Sequence, residues 1–263
     1  MSLTFLSQIL LFGLLAGLAL GLIGGGGSLV GVPLLAYGLG LSPHQAICTV
    51  MLSIGVIAGI GAARKFVAGE LNWRIAGSLI PAGWLGALTG VAIGRFFSAG
   101  VLMIAFGVVV VAVAAGMLTS PQRQPPSTEG GAIAPVAFTP PLLAAAGGAG
   151  ILAGLFGVGG GFVLVPALNL IGRLEIHRAI SASWFVIALN SVAATGAHVL
   201  GGQTIPPGFA GGFALGTLAG FELGSRFGSR CSETRLRRIF GVALAVMAIA
   251  IIIAETNVHA FAH

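Results

Sequence analysis

Long runs of apolar residues, separated by short polar stretches, make up most of this chain. Two shorter apolar segments, 28–39 and 161–171, each follow a cluster of glycines. Because the runs are continuously apolar and do not alternate with polar residues, they predict membrane helices and not membrane strands. Eight runs have the length of about 20 residues that a membrane-spanning helix needs: 4–23, 44–63, 74–93, 98–119, 138–156, 178–200, 207–223 and 236–254.

The composition places nearly the whole chain in a membrane. Of the 263 residues, 57% are hydrophobic and 7% are charged, whereas soluble domains carry about 25% charged residues. The net charge of +6 is therefore expected to mark cytoplasmic loops and not a nucleic-acid partner; the lipid bilayer is the expected surrounding. No Lys or Arg precedes the first run, which continues into a glycine cluster, so we interpret it as a membrane helix and not as a cleaved signal peptide.

The two glycine clusters belong to one motif that occurs twice. With an offset of 133 residues, "GLIGGGGSLVGVPLL" (21–35) aligns with "GLFGVGGGFVLVPAL" (154–168), and "HQAI" (44–47) aligns with "HRAI" (177–180). The chain therefore reads as two transmembrane repeats, 1–119 and 138–263. The segment between them, 120–137, is rich in Pro, Ser, Gly and Gln and is predicted to be an extended linker.

The basic residues predict how the two repeats are oriented, because Lys and Arg favour the cytoplasmic side. If each glycine motif forms a helix–turn–short-helix hairpin, eleven of the twelve basic residues fall inside and only Arg95 lies outside. If each motif merely interrupts one spanning helix, four lie inside and eight outside. The predicted fold is therefore an all-α polytopic membrane protein. It has about ten membrane segments in two inverted-topology repeats of five, each with a Gly-rich broken-helix hairpin, and it lies in the cell (inner or plasma) membrane with both termini extracytoplasmic.

Broken helices in inverted repeats are typical of secondary transporters, whose substrate sites lie near the middle of the membrane. A helix of about 12 residues reaches roughly 18 Å, so the short segments 28–39 and 161–171 are expected to begin inside a hydrocarbon core about 30 Å thick. The first amides of a helix have no intrahelical partner and carry a partial positive charge, and glycine lets a ligand approach them closely. The clusters therefore predict a site for a small anionic substrate. The alternative is that these glycines only allow close helix packing, the role that we assign to two further stripes, Gly86/Gly90/Gly94 and Gly216/Gly220/Gly224.

The predicted substrate site consists of the two glycine motifs and polar residues of the helices that follow them. His44 and His177 occupy matching positions, where each would donate to an anion or cap a helix start. Asn190 lies near the middle of a span, where polar groups often line a pathway, although Ser and Thr serve equally as contacts between helices. Glu222 lies four residues before Arg226, at ion-pair spacing, and is interpreted as structural. The full predicted set is Gly24, Gly25, Gly26, Gly27, Ser28, His44, Cys48, Thr49, Gly157, Gly159, Gly160, Gly161, His177, Ser181, Ser183 and Asn190.

The motifs resemble the sulfite exporter TauE/SafE family of bacterial membrane permeases. The resemblance is carried by "GLIGGGGSLVGVPLL" followed by "LSPHQAICTVMLSI", and by "GLFGVGGGFVLVPALNLIGRLEIHRAISASWFVIALNS" in the second half. It covers nearly the whole chain except the linker and the terminal residues. It implies transport of sulfite, sulfoacetate or another sulfur-containing or organic anion across the cytoplasmic membrane. The two motifs differ at one point: Ser28 offers a hydroxyl where the second motif has Gly161.

Three functions are weighed on this scaffold. The first is a secondary transporter in which the two halves rock around the glycine helices, and the alternative is an anion channel. An intramembrane enzyme would need a catalytic or metal-binding set, but the sequence has neither His-Glu-x-x-His nor any aspartate. We therefore expect no enzyme activity, no cofactor and no metal site; a homo-oligomer remains an open expectation.

Overall fold

The computed structural model describes residues 3–23, 27–67, 69, 73–119, 140–171, 176–203, 207–228 and 233–260. Within these ranges the chain forms ten α-helices, one short 3-10 turn and no strand. The helices are α1 (Leu3–Ile23), α2 (Gly31–Leu39), α3 (Pro43–Val67), α4 (Trp73–Gly94), α5 (Ala99–Thr119), α6 (Pro140–Phe156), α7 (Gly161–Leu170), α8 (Ile176–Leu200), α9 (Pro207–Gly228) and α10 (Glu233–Ala260). The 3-10 turn, Gly27–Val30, directly precedes α2.

Each helix coincides with one of the ten apolar segments of the sequence. The largest differences lie in α3, α9 and α10, which continue beyond their apolar runs into segments with polar residues. The all-α prediction is therefore confirmed. The predicted linker 120–137 lies outside the described residues, so the division into two repeats stays a prediction.

Within the described part of the chain, five helices are long and apolar enough to span a membrane: α1, α3, α4, α5 and α8. Residues Pro140–Phe156 and Gly241–Ala254 form shorter apolar stretches. The outer surface is apolar as well, since α10 exposes Val242, Val246 and Ile249 at helical spacing. A large exposed apolar surface of this kind suits lipid and not water. The chain is thus a polytopic membrane protein, as predicted.

The closest helix contacts join the two halves of the chain. α1 packs on α9 and α4 packs on α6, while α3 packs on α8 and α5 packs on α10. Glycines bring the backbones together: a Cβ on Gly13 would lie 2.5 Å from the Phe213 carbonyl oxygen, and one on Gly224 would lie 2.5 Å from that of Leu18. The packing role predicted for the glycine stripes is confirmed for Gly86, Gly90, Gly216, Gly220 and Gly224, all of which face a neighbouring backbone.

Two polar contacts tie the ends of these helices together. Arg64, at the end of α3, forms an ion pair with Glu222 of α9. At the opposite end, the Arg95 guanidinium, just after α4, donates a hydrogen bond of 2.8 Å to the Ala197 carbonyl of α8. The nearest basic residue to Glu222 along the helix is Arg226, but the described ion pair is made with a residue 158 positions away.

Candidate functional site

The interruption between α6 and α7 is built from glycines in a left-handed backbone conformation. The Gly157 amide donates the last hydrogen bond of α6, to the Ala153 carbonyl at 2.8 Å. Gly157, Gly159 and Gly160 then adopt φ angles of 71°, 67° and 71°. This conformation costs about 1–2 kcal/mol for a residue that has a Cβ, so three of the cluster's glycines have a conformational role of their own.

These three glycines differ in which neighbouring atoms an added Cβ would meet. A Cβ on Gly160 would lie 2.5 Å from the Ala149 carbonyl oxygen, and a Cβ on Gly157 would lie 3.0 Å from the Ile47 Cα atom. Both positions therefore also serve close backbone packing, which was the alternative interpretation of the cluster. Gly159 instead faces only side chains, those of Ile54 and Ile187, and it borders a cavity.

α7 begins at this interruption with an uncapped N-terminus. Its N-cap residue is Gly160, and no side chain caps the helix. The amides of Val163 and Leu164 both donate to the Gly160 carbonyl, at 3.2 and 3.1 Å. Earlier amides of a helix have no intrahelical partner, and they carry the positive end of the helix dipole. The start of α7 therefore has the properties of an anion-binding end.

A small cavity lies beside this helix start, between residues of both halves of the chain. Leu20 of α1 and Ile54 of α3 form one wall, α8 forms another, and Gly159 and Gly161 border it at the interruption. The lining is apolar except for Ser183. In this conformation the space is sufficient for about one water molecule. A sulfur oxyanion is larger than a water molecule, so the cavity is too small to hold one in this conformation.

Ser183 is the polar side chain at this cavity. It is 1% exposed, and its hydroxyl has no hydrogen-bond partner among the described residues. A buried hydroxyl left unpaired costs about 1–3 kcal/mol, so this group is available to a ligand at little further desolvation cost. The neighbouring Trp184 also lines the cavity, and its ring packs edge-on against Phe221 of α9 at a centroid distance of 5.3 Å.

The remaining polar residues of the predicted site lie away from this cavity. The Thr49 hydroxyl donates to the Gln45 carbonyl of its own helix at 2.8 Å, which is a structural role. Cys48 is a buried free thiol within α3, and Ser181 is buried within α8. Asn190 is 1% exposed and packs against Gly83 of α4. None of these four lines the cavity.

Several predicted positions are described in part or not at all. Gly24, Gly25 and Gly26 lie outside the described residues, and Gly27 and Ser28 start the 3-10 turn before α2. His44 occupies the first turn of α3 and is half-buried, and His177 occupies the first turn of α8. Of the sixteen predicted residues, the structure brings Gly159, Gly161 and Ser183 together at the cavity. Which residues bind substrate stays a prediction.

Sequence reasoning missed the apolar walls of the cavity and one buried histidine. Leu20, Ile54 and Ile187 have no chemical signal that separates them from other apolar residues of the spans. His198 is 4% exposed, and its Nε2 atom lies 3.1 Å from the Gly154 carbonyl oxygen in the last turn of α6. The sequence marks His198 by its position seven residues after Ser191 and three residues after Thr195, a spacing that places all three on one face of the helix.

Comparison with known proteins assigns the chain to a family. The model of the family described as "Sulfite exporter TauE/SafE" matches residues 9–251. The chain belongs to the sulfite exporter TauE/SafE family. This confirms the resemblance carried by the two glycine motifs, and the family is one of membrane transporters.

Similar proteins carry names of the same kind. A "Probable membrane transporter protein" of Xylella fastidiosa (strain Temecula1 / ATCC 700964) is 32% identical over 244 residues, covering 90% of this TauE/SafE chain and 91% of the relative. One of Haemophilus influenzae (strain ATCC 51907 / DSM 11121 / KW20 / Rd) is 30% identical over 270 residues, covering 94% and 97%. "Probable membrane transporter protein YunE" of Bacillus subtilis (strain 168) is 26% identical over 215 residues, covering 74% and 78%. No solved structure matches the chain.

Proposed function

We propose that this TauE/SafE protein is a secondary transporter of a small sulfur-containing or organic anion, with sulfite as the first candidate. The observation that carries the proposal is the uncapped start of α7 beside the unpaired Ser183 hydroxyl, at a cavity inside the helix bundle. Amide groups and a hydroxyl supply hydrogen-bond donors to an anion, and apolar walls strengthen each such contact because they exclude water.

The pattern of helix packing supports the inverted repeat. If α1–α5 correspond to α6–α10, then exchanging the halves turns the α1–α9 contact into the α6–α4 contact, and both are observed. The same exchange maps the α3–α8 and α5–α10 pairs onto themselves. We propose that the first glycine motif contributes to the same substrate site as the second, because the two motifs align in the repeats and Leu20 of α1 lines the cavity.

Alternating access on this scaffold needs units that move without losing their closest contacts. α1 and α9 approach at Gly13 and Gly224, and α4 and α6 approach at Gly86 and Gly90, so neither pair separates readily. We propose that α1, α3 and α9 move against α4, α6 and α8. The cavity lies between these units, with Ile54 on one and Ile187 on the other.

The test is sulfite uptake into proteoliposomes by wild type and two serine variants. Ser183→Ala removes the hydroxyl at the cavity, and we expect the KM for sulfite to rise several-fold. Ser53→Ala is the matched control, because Ser53 is equally buried but its hydroxyl donates to the Thr49 carbonyl at 2.9 Å; it should keep the wild-type KM. Equal KM values for all three proteins would contradict the proposed site.

The same preparation separates a carrier from a channel. A carrier would show uptake that saturates with sulfite and is accelerated by sulfite on the opposite side. Unitary currents in a planar bilayer would instead support the anion channel.

A further inference from the structure

A row of buried polar side chains runs along one face of α8, away from the cavity. Successive members are seven, one, four and three residues apart, and residues three, four or seven apart lie on the same face of a helix. The row is interrupted only by Ile187, which itself borders the cavity. We call it the α8 polar track, and it consists of Ser183, Asn190, Ser191, Thr195 and His198.

Four members of the α8 polar track have a buried polar atom without a hydrogen-bond partner among the described residues. These atoms are Ser183 Oγ, Asn190 Oδ1, Ser191 Oγ and Thr195 Oγ1. Elsewhere in the bundle, buried hydroxyls bond to their own helix, as Thr217 does to the Phe213 carbonyl at 2.6 Å. Hydrogen bonding between helices therefore does not account for the track, although Asn190 and Ser191 pack against glycines of α4 and α3. Buried polar groups of this kind are usually satisfied by water or a ligand.

The track ends at His198, whose side chain is 4% exposed. Since a carbonyl only accepts, His198 donates its Nε2–H to the Gly154 carbonyl oxygen. Its other ring nitrogen, Nδ1, is then the atom that accepts a proton when the ring becomes charged. Gly154 lies three residues before Gly157, where the backbone of α6 leaves the helix. His198 therefore contacts the last turn of α6 directly, three residues before the helix is interrupted.

The charged groups around His198 are few. His44, in the first turn of α3, and Arg95, just after α4, are close enough to interact with the ring electrostatically. The α6 helix, which packs against the same ring through Gly154, carries no titratable side chain. Cys48 is a second buried titratable side chain and lies on a different helix, α3.

We infer that His198 binds and releases a proton during the transport cycle, and that the α8 polar track connects it to the substrate cavity. The inference rests on the proposed function. The proton passes between water, the hydroxyl groups of the track and Nδ1 of His198, so that only O–H and N–H bonds form and break. His198 is thus a proton-binding site, and its protonation would couple anion movement to a pH gradient.

The experiment measures initial sulfite uptake into proteoliposomes at one fixed external pH while the internal pH is varied from about 4.5 to 7.5, a range that includes the ordinary pKa of histidine of about 6.5 and values well below it. Because the external pH is constant, the protonation of the added sulfite is the same in every trial. We expect the wild-type rate to change at least threefold across this range. His198→Gln keeps a donor for the Gly154 carbonyl but does not titrate in this range, and its rate should not depend on internal pH.

A second pair of variants tests the track independently of His198. Thr195→Val removes an unpaired hydroxyl one turn before His198 and should lose the response to pH. Thr217→Val is the matched control and should retain it.

A wild-type protein that takes up no sulfite would refute the proposed function and the inference together. Uptake that is independent of pH, or a full pH response in both His198→Gln and Thr195→Val, would overturn the inference alone. If His198→Gln is inactive at every pH, the result with Thr195→Val decides.

Discussion

Two glycines of α6 that are two residues apart should respond in opposite directions to substitution by alanine. Gly150 faces α4: an added Cβ would lie 2.9 Å from the Ala87 nitrogen and closer still to the Gly83 carbonyl oxygen. Gly148 faces open space, with nothing within 4 Å of the same added atom. Both residues lie within the helix, so the intrinsic preference for alanine is the same at each position.

The magnitudes follow from these distances. Ordinary van der Waals contact of a Cβ begins at 3.4 Å, so Gly150→Ala forces α4 and α6 apart by at least about 0.5 Å in a close-packed contact. Overpacking of this kind costs about 1–3 kcal/mol. Gly148→Ala should instead gain about 0.5–1 kcal/mol, because alanine loses less backbone entropy than glycine on forming a helix. The two variants should therefore differ by roughly 1.5–4 kcal/mol.

Thermal unfolding of the purified protein, followed by tryptophan fluorescence, measures this difference. At about 2 °C per kcal/mol for a chain of this length, the Tm of Gly150→Ala should lie several degrees below that of Gly148→Ala, with wild type between them. Equal Tm values, or a more stable Gly150→Ala variant, would refute the close approach of α4 and α6 and the helix pairing built on it.

Two further predictions concern orientation and burial. In intact cells, a membrane-impermeant maleimide should label Ala99→Cys but not Thr119→Cys, at the two ends of α5, because the distribution of basic residues predicts that Ala99 lies outside; the reverse pattern would contradict the predicted topology. In a Cys231→Ser variant, the remaining thiol, Cys48, should stay unlabelled by a membrane-permeant maleimide until the protein is denatured, because it is fully buried; rapid labelling of the folded protein would contradict that position.

The helices were predictable because each is a single apolar run with polar or glycine-rich ends. The interruption before α7 was predictable for the same reason, since a cluster of glycines inside an apolar run opposes a helix. The role of each individual glycine was not predictable from the sequence. Gly157, Gly159 and Gly160 look alike in sequence, and only their neighbours show that Gly159 borders the cavity while Gly160 lies against a backbone.

The hydrogen-bonding role of each polar residue was also not predictable from the sequence. Thr49 and Ser183 both look like hydroxyls on an apolar helix, but Thr49 bonds to its own helix and Ser183 does not. Helical periodicity does not report this difference, because it depends on which other helix lies opposite. Glu222 likewise has a basic residue four positions away, and its ion pair with Arg64 follows from the packing of α9 on α3.

The most direct test of the anion site at Ser183 is a thermal-shift titration of purified wild type, Ser183→Ala and Ser53→Ala with sulfite, using chloride as the control anion. Without ligand, Ser183→Ala should be as stable as wild type or slightly more stable, because it loses a buried hydroxyl that has no partner. A ligand at 100 times its Kd stabilises a protein by about 2.7 kcal/mol, so a sulfite-specific rise in Tm is expected for wild type and Ser53→Ala, with a much smaller rise for Ser183→Ala. An equal rise in all three proteins, or no rise with sulfite in wild type, would contradict the account.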